Sequence, residues 1–422
     1  MIDYSKRYFG RNKVKNNKKI AYLAPEIPAL SATFVYQEIL KLQELDVEIK
    51  PISIHRPNNK ASSDILRKLE SDTFYLYEQP FFKIIILNII LLVLSPLNYF
   101  KVLRMALSDG FNVGITTHIG KGLLYRFFIS ARLVHYLRRN NIDHIHSNFA
   151  HIPTDIAMYA AALYGVTFSF NSHANDLFER GWLLKEKVSR AKFAVTISAY
   201  NKKFLIDKGA DENKINVIHC GVDTLSFSER EEKKISNPPV LGTLGRMVEK
   251  KGFDVLISAC DILKKEGVVF KLQIAGGGPL KKDLENLACR LDVMDMIDFV
   301  DSISHEDVPD WIKSLDLFVL PCKKNEYGDM DGIPVVLMEA MLSGVPVITT
   351  RISGIPELVV DGKTGLLCEP NNIVSLAKKI KLLTIDDELR YKLRENAISK
   401  VKDEYELRSN VKRLAILLDN YK

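Results

Sequence analysis

The chain has 422 residues, of which 47% are hydrophobic and 26% charged, with 22 Gly and 16 Pro. That composition is ordinary for a globular protein and excludes a disordered chain, a collagen and a disulfide-stapled mini-protein. At roughly 150 residues per domain the length predicts two or three domains. The net charge of +7 is unevenly shared, since residues 1–225 carry 30 Lys and Arg against 20 Asp and Glu while residues 226–422 carry 29 against 32.

Residues 1–18 predict a basic arm. Lys6, Arg7, Arg11, Lys13, Lys15, Lys18 and Lys19 stand against Asp3 alone. Such a run suits an anionic membrane surface, where each basic residue contributes about 1 kcal/mol, or a solvated terminus. No helix-turn-helix, finger or RNA-stacking motif accompanies it, so nucleic acid is not an expected partner. The arm lacks the apolar stretch of a secretory signal. The five cysteines are scattered, form no C-x-x-C pair, and predict buried thiols in a reducing compartment. Both features point to the cytoplasm.

Residues 19–228 predict a first α/β domain. Strand-like runs at 20–24, 47–54, 142–146, 166–171, 194–197 and 215–219 alternate with helical runs, the pattern of parallel strands joined by crossover helices. Phe34, Ile39, Leu42 and Leu45 recur at helical spacing over 33–45, and Ser198 reads as the N-cap of a helix over 199–208. Residues 81–97, FFKIIILNIILLVLSPL, are apolar almost throughout, with Asn88 as an interruption. The run is shorter than the roughly 20 apolar residues of a spanning helix. A buried helix and a membrane-dipping helix both fit it.

Residues 229–239, EREEKKISNPP, are charged and apolar-poor and predict an interdomain linker. A second series fills 240–400, with strands at 240–244, 270–275, 297–300, 317–320 and 345–349 and helices at 253–266, 280–291, 306–314 and 334–343. The last fifty residues read as helical, and 401–422 is expected to pack back toward the first domain. The predicted architecture is two doubly wound, Rossmann-like α/β domains facing a cleft. In open α/β sheets ligands sit at the carboxyl ends of strands, which makes the cleft the expected site.

Three strand-end loops of the second domain carry chemistry. In Gly245-Arg246-Met247-Val248-Glu249-Lys250-Lys251-Gly252, Gly245 permits a tight turn, and Arg246 and Lys251 offer a bidentate donor and a point charge to a diphosphate. In Ala275-Gly276-Gly277-Gly278-Pro279-Leu280, Gly276 and Gly277 let the backbone approach a ligand. In Asp329-Met330-Asp331-Gly332-Ile333-Pro334, the amides around Gly332 and Ile333 precede a helix whose first residue is expected to be Pro334, an arrangement suited to an anion. Asp331 and Glu339 bracket that helix start, so one carboxylate can accept from a sugar hydroxyl and the other from a ribose diol. Asp329-x-Asp331 also imitates a metal-holding D-x-D, but that motif belongs to a different, single-domain fold, and no metal is expected. In the first domain His173 follows a strand and points to the cleft, with Asp176 one turn on.

These stretches resemble retaining glycosyltransferase family 4, with the GT-B fold. The resemblance is carried by GRMVEKKGFDVLI, IAGGGPL, FVLPC and DGIPVVLMEAMLSGVPVITTRISGIPELVVDGKTGLL, with LAPEIPALSATFVYQEIL and HANDLF in the first domain. The D-G-I-P-V-V-L-M-E-A variant is similar to enzymes of the colanic-acid and exopolysaccharide type. The resemblance implies a nucleotide-diphospho-sugar donor, such as a UDP-sugar, as co-substrate with no further cofactor. Arg246 and Lys251 would hold its diphosphate, Glu339 its ribose, and His173 would face the donor sugar. Asp331 stands where the family has the first glutamate of its E-x7-E element, which leaves the contacted hydroxyl open. Asp176 matches the family acid after the histidine, and Ser31 lies in the first strand–helix loop, which here lacks the family's glycine. The implied acceptor is a saccharide on a polyprenyl diphosphate, and the implied location is the inner face of the cell membrane. A catalytically silent scaffold of a polysaccharide assembly and a nucleotide-sugar 2-epimerase share the architecture and stay open.

Overall fold

The computed structural model describes residues 18–29, 32–57, 63–78, 80–227, 229–231, 234–304 and 306–420. Ser31 and residues 1–17 of the basic arm lie outside the described residues. Strands β1 Lys19–Glu26, β2 Glu48–His55, β3 Phe74–Tyr75, β4 His144–Asn148, β5 Thr167–Ser172, β6 Ala194–Thr196 and β7 Ile215–Val217 form a first sheet in the order β3-β2-β1-β4-β5-β6-β7. Strands β8 Val240–Leu244, β9 Lys271–Ala275, β10 Ile297–Val300, β11 Leu317–Leu320, β12 Val347–Thr350 and β13 Leu366–Cys368 form a second in the order β10-β9-β8-β11-β12-β13. In each sheet the chain winds outward from its first strand, then returns to lay the fourth strand on that strand's other side. This reversal of strand order is where an α/β sheet opens a crevice at its carboxyl ends. The chain separates into two compact units, Met1–Asn148 with Ile152–Ser169 and Val411–Lys422, and Phe149–His151 with Phe170–Asn410.

The strands follow from their composition. β11 (LFVL) and β12 (VITT) are buried at every position, because helices cover both faces of a parallel sheet and leave no polar alternation. Leu241 of β8 is in register with Leu272 of β9 on one side and Leu317 of β11 on the other. Side chains of this kind contribute roughly 1.5–3 kcal/mol each when fully buried. Strands β3 and β13, of two and three residues, were not read from the sequence.

Three expectations gain detail. The helix Phe81–Leu94 is not a core helix, as only Ile84, Asn88 and Leu91 are buried along it. Its sequence is apolar all round, so no hydrophobic face marked the side that packs. The stretch read as a linker is tied to the second sheet. Arg230 N donates to the Ser343 carbonyl at 3.1 Å, and Ser236 N and Val240 N donate to Asp316 Oδ2 at 3.2 and 2.8 Å. Of the cysteines, Cys260, Cys322 and Cys368 are buried, but Cys220 is half-buried and Cys289 exposed.

Candidate functional site

At the carboxyl end of β8 the chain turns through Gly245, Arg246 and Met247 into a 3-10 turn, Glu249–Lys251, and at Gly252 enters the helix Phe253–Lys265. Gly252 has φ 68°, and a Cβ there would lie 2.0 Å from the Pro321 carbonyl oxygen, so only glycine fits. The tight turn brings two lysines to one carboxylate. Lys251 Nζ lies 2.7 Å from Asp331 Oδ2, and Lys250 Nζ lies 3.6 Å from Asp331 Oδ1 and 2.9 Å from Asp329 Oδ2. Past β11, Lys323 donates its Nζ to Asp254 Oδ2 at 2.6 Å and its backbone N to the Lys250 carbonyl at 2.9 Å. The loops after β8 and β11 are therefore stitched together at the reversal point of the second sheet, where its topology opens a ligand crevice.

Burial would pull the Lys251 ammonium down, but Asp331 outweighs it, aided by Cys322 and Asp329, and the pKa is raised. Burial likewise pushes Asp331 up, and Lys251 and Lys250 together bring it below its ordinary value. Both groups thus stay ionised. The Lys251 stem passes over Gly245, where a Cβ would lie 3.3 Å from its Cε. Arg246, one residue on, is exposed, and among the described residues no carboxylate pairs with it.

The glycine-rich loop after β9 sits on this turn. Gly245 N donates to the Ala275 carbonyl at 3.1 Å and Met247 N to the Gly277 carbonyl at 2.8 Å. A Cβ on Gly276 would come within 2.3 Å of the Gly245 carbonyl oxygen, and one on Gly278 within 2.6 Å of the Met247 carbonyl oxygen. Two of the three glycines thus serve loop-on-loop contact. Gly277 is different, since the nearest atom to a Cβ there is Ser302 Oγ at 3.7 Å.

The third loop leads into the helix Val335–Leu342. Pro334, expected as its first residue, is instead its N-cap, with ψ 124°. Glu339 lies inside this helix and is 9% exposed. Among the described residues its carboxylate has no hydrogen-bond partner, and burial raises its pKa to about 7. Gly332 meets the His173 loop, where a Cβ would lie 2.7 Å from Ile197 Cδ1 and 3.3 Å from the His173 carbonyl oxygen. Ile333 is buried beside Gly354, with 2.9 Å between its Cγ1 and a Cβ built there.

His173 is 8% exposed, and burial lowers its pKa to about 3, so the ring is neutral near pH 7. Its Nδ1 lies 3.7 Å from Cys220 Sγ, and its ring is 4.9 Å from that of Phe149. Asn201 donates to its carbonyl oxygen. Asp176 is fully buried, and its carboxylate accepts from Ala150 N at 2.7 Å and from His173 N and Ala174 N at 3.0 Å each. These bonds tie the histidine loop to the turn after β4. The structure thus gathers His173, Asp176, Gly332 and Ile333 into one cluster, and Gly245, Lys251 and Asp331 into another along the same loop. Ser31 lies outside the described residues.

Sequence reasoning missed Lys250 as a partner of Asp331, although it adjoins Lys251 in the same motif. It also missed Cys220 beside His173, for which a lone cysteine gives no signal. Glu357 was missed as well. Its carboxylate accepts from Ala199 N and Tyr200 N at 2.9 Å each, at the start of the helix Ala199–Asp207. Among the described residues no group of three His, Cys, Asp or Glu side chains is placed to hold a metal ion. The D-x-D carboxylates have ammonium partners instead.

Two families match consecutive stretches, Glycosyltransferase Family 4 over residues 107–225 and Glycosyl transferases group 1 over residues 226–400. The glycosyltransferase WcaL of Salmonella typhimurium, named for colanic acid biosynthesis, is 36% identical over 50% of this chain and 52% of its own length, so the chain spans about half the length of that relative. The amylovoran biosynthesis glycosyltransferase AmsK of Erwinia amylovora is 26% identical over 85% of this chain and 89% of its own. Among solved structures, Anabaena Alr3699/HepE in complex with UDP superposes with a TM-score of 0.72 over 95% of this chain and 99% of that one, at 18% identity, a likeness of fold. With the two sheets wound alike, both family stretches matched in sequence and the strand-end loops assembled at the reversal point, residues 107–400 carry two successive glycosyltransferase domains on a GT-B fold.

Proposed function

We propose that the protein transfers a hexose-type sugar from a nucleotide-diphospho-sugar, with a UDP-sugar the first candidate, to a lipid-linked saccharide in exopolysaccharide, capsule or O-antigen biosynthesis. It works at the inner face of the cell membrane in this reading. The observation that carries it is the half-buried, charged Lys251 ammonium at the reversal point of the second sheet, its stem lying over Gly245 in the same loop as exposed Arg246. An ammonium has three donors, and Asp331 occupies one of them. The others, with the bidentate guanidinium of Arg246, suit the two phosphates of a nucleoside diphosphate. Glu339, without a hydrogen-bond partner among the described residues, suits the ribose diol.

Departure of the nucleoside diphosphate places negative charge on its outer phosphate. Arg246 and Lys251 stabilise that charge more strongly in the transition state than in the ground state, and such fixed donors are commonly worth a factor of about a hundred or more in rate. Attack from the face the diphosphate leaves preserves the anomeric configuration, and the departing phosphate can take the acceptor's proton. His173, neutral at working pH, then acts as a hydrogen-bonding group toward the sugar and not as a cation. The reaction runs without a resident metal here, because the carboxylates of the D-x-D element are already neutralised by Lys250 and Lys251.

A thermal-shift panel of nucleotide-sugars tests the donor, since a ligand that binds the native state raises its apparent stability. One clear stabiliser is expected. Arg246 is exposed, so Arg246→Ala spares the fold, and it should lower release of nucleoside diphosphate by about a hundredfold. Near-normal turnover in that variant, or no stabilisation by any nucleotide-sugar, overturns the reading.

A further inference from the structure

The helix Phe81–Leu94 is attached along one narrow stripe. Ile84, Asn88 and Leu91 are its buried residues, four and three positions apart, which places them on a single face. Asn88 pins that face. Its Nδ2 donates to the Ile84 and Phe128 carbonyls at 2.8 and 3.0 Å, and its Oδ1 accepts from the Tyr99 hydroxyl at 3.0 Å. Apart from Lys83 the rest of the helix is apolar, and Phe81, Phe82, Ile85, Ile86, Ile89 and Val93 are between 49% and 72% exposed. Scattered exposed apolar residues are normal, but a contiguous surface of this kind marks an interaction site.

Charge identifies what covers it. Between Phe81 and Phe128 the exposed Lys and Arg side chains are Lys83, Lys101, Arg104 and Lys121, and the only Asp or Glu in that stretch, Asp109, is fully buried. A second copy of the chain would set these cations against themselves, and like charges across an interface are unfavourable. A bilayer with anionic headgroups matches both features, taking apolar side chains into the headgroup boundary and attracting the cations. Fourteen helical residues span about 21 Å, and among the described residues no helix is long and apolar enough to cross a membrane. The helix would lie in the plane of the interface.

We propose that the helix Phe81–Leu94, with the adjoining start of the helix Pro96–Asn112, is a docking surface for a membrane bearing anionic lipid headgroups. Its use rests on the lipid-linked acceptor proposed above, but its existence rests on these residues alone, so the two readings fail separately.

The test is flotation of the full chain with phosphatidylcholine vesicles and with vesicles also containing phosphatidylglycerol. The chain should float with the anionic vesicles, less well as salt is raised. The triple variant Ile85→Gln, Ile89→Gln and Val93→Gln changes exposed positions and should keep the native circular dichroism and thermal midpoint. Its vesicle-bound fraction should fall by about tenfold or more. Lys101→Glu with Arg104→Glu should lose about tenfold or more on anionic vesicles and little on neutral ones. Equal flotation of the intact chain and the triple variant overturns the proposal, as does failure of the intact chain to float. Concentration-dependent dimers that the triple variant abolishes, without flotation, would assign the surface to a second copy and also overturn it. Donor stabilisation in the thermal-shift panel should be the same in all three proteins, which separates this result from the fate of the catalytic reading.

Discussion

Glu339 and Lys251 show how desolvation can have opposite outcomes at two carboxyl-end positions of one sheet. Lys251 is half-buried with a carboxylate partner and stays charged. Glu339 is buried without one, and its pKa rises to about 7. A carboxyl group whose pKa is higher in the folded state stabilises the fold below the ordinary carboxylate range, and that contribution is lost as pH rises through the folded value. The thermal midpoint of the protein without donor should therefore decline between about pH 5 and pH 7, and Glu339→Gln should remove that part of the decline. Donor affinity should move the other way, strengthening over the same interval as the carboxylate forms to accept from the ribose. Glu339→Gln should flatten that profile as well, and a pH-dependent donor titration that is the same in both proteins would refute the assignment. Removing Lys251 is a harsher experiment. It leaves the half-buried Asp331 with only the more distant Lys250 as cation, and weakening a desolvated ion pair destabilises the fold. A loss of activity in Lys251→Ala must accordingly be read beside its stability, whereas Arg246→Ala has no such complication.

At the scale of elements, the loops after β8, β9 and β11 act as one rigid platform held by backbone contact. Gly252 is its most demanding point, with φ 68° and a carbonyl oxygen 2.0 Å from where a Cβ would be. Gly252→Ala should destabilise by more than about 2 kcal/mol, read as a lower midpoint in urea, and donor stabilisation should fall with it. Unchanged stability would mean the turn can be rebuilt. Most of this was legible in the sequence. Continuous apolar runs gave β8, β9, β10 and β11 nearly to the residue, and the strand-end positions of Arg246, Lys251 and Asp331 follow from them. The Lys251–Asp331 pair was not legible, because partners far apart in sequence are joined only by the topology of the sheet. Asp176 looked like a cleft acid for a similar reason, since the amides that donate to it, those of Ala150, His173 and Ala174, come from two separate strand ends. The helix Phe81–Leu94 failed in the other direction. Uniform hydrophobicity says that a helix forms and nothing about which side is covered.

Over the whole molecule, the end of the chain belongs with its beginning. Val411–Lys422 groups with Met1–Asn148 in the first compact unit, where Val411, Leu414, Ala415 and Leu418 are buried and Lys18 Nζ donates to the Leu418 and Asp419 carbonyls at 3.3 and 3.0 Å. Burial of three large side chains contributes about 5 kcal/mol. A chain ending at residue 410 should show faster amide exchange across β1, β2 and β4, while β8, β9 and β11 keep their protection. Uniform exchange in both groups would contradict that division. The charge cluster at the second sheet has a consequence for how a donor arrives. Lys250, Lys251 and Lys323 are matched one for one by Asp329, Asp331 and Asp254, so their fields cancel within a few ångströms and little potential extends into solvent to draw an anion inward. Attraction of the donor then falls to exposed Arg246, and the rate of donor capture should weaken with ionic strength only modestly, a dependence that Arg246→Ala should reduce further.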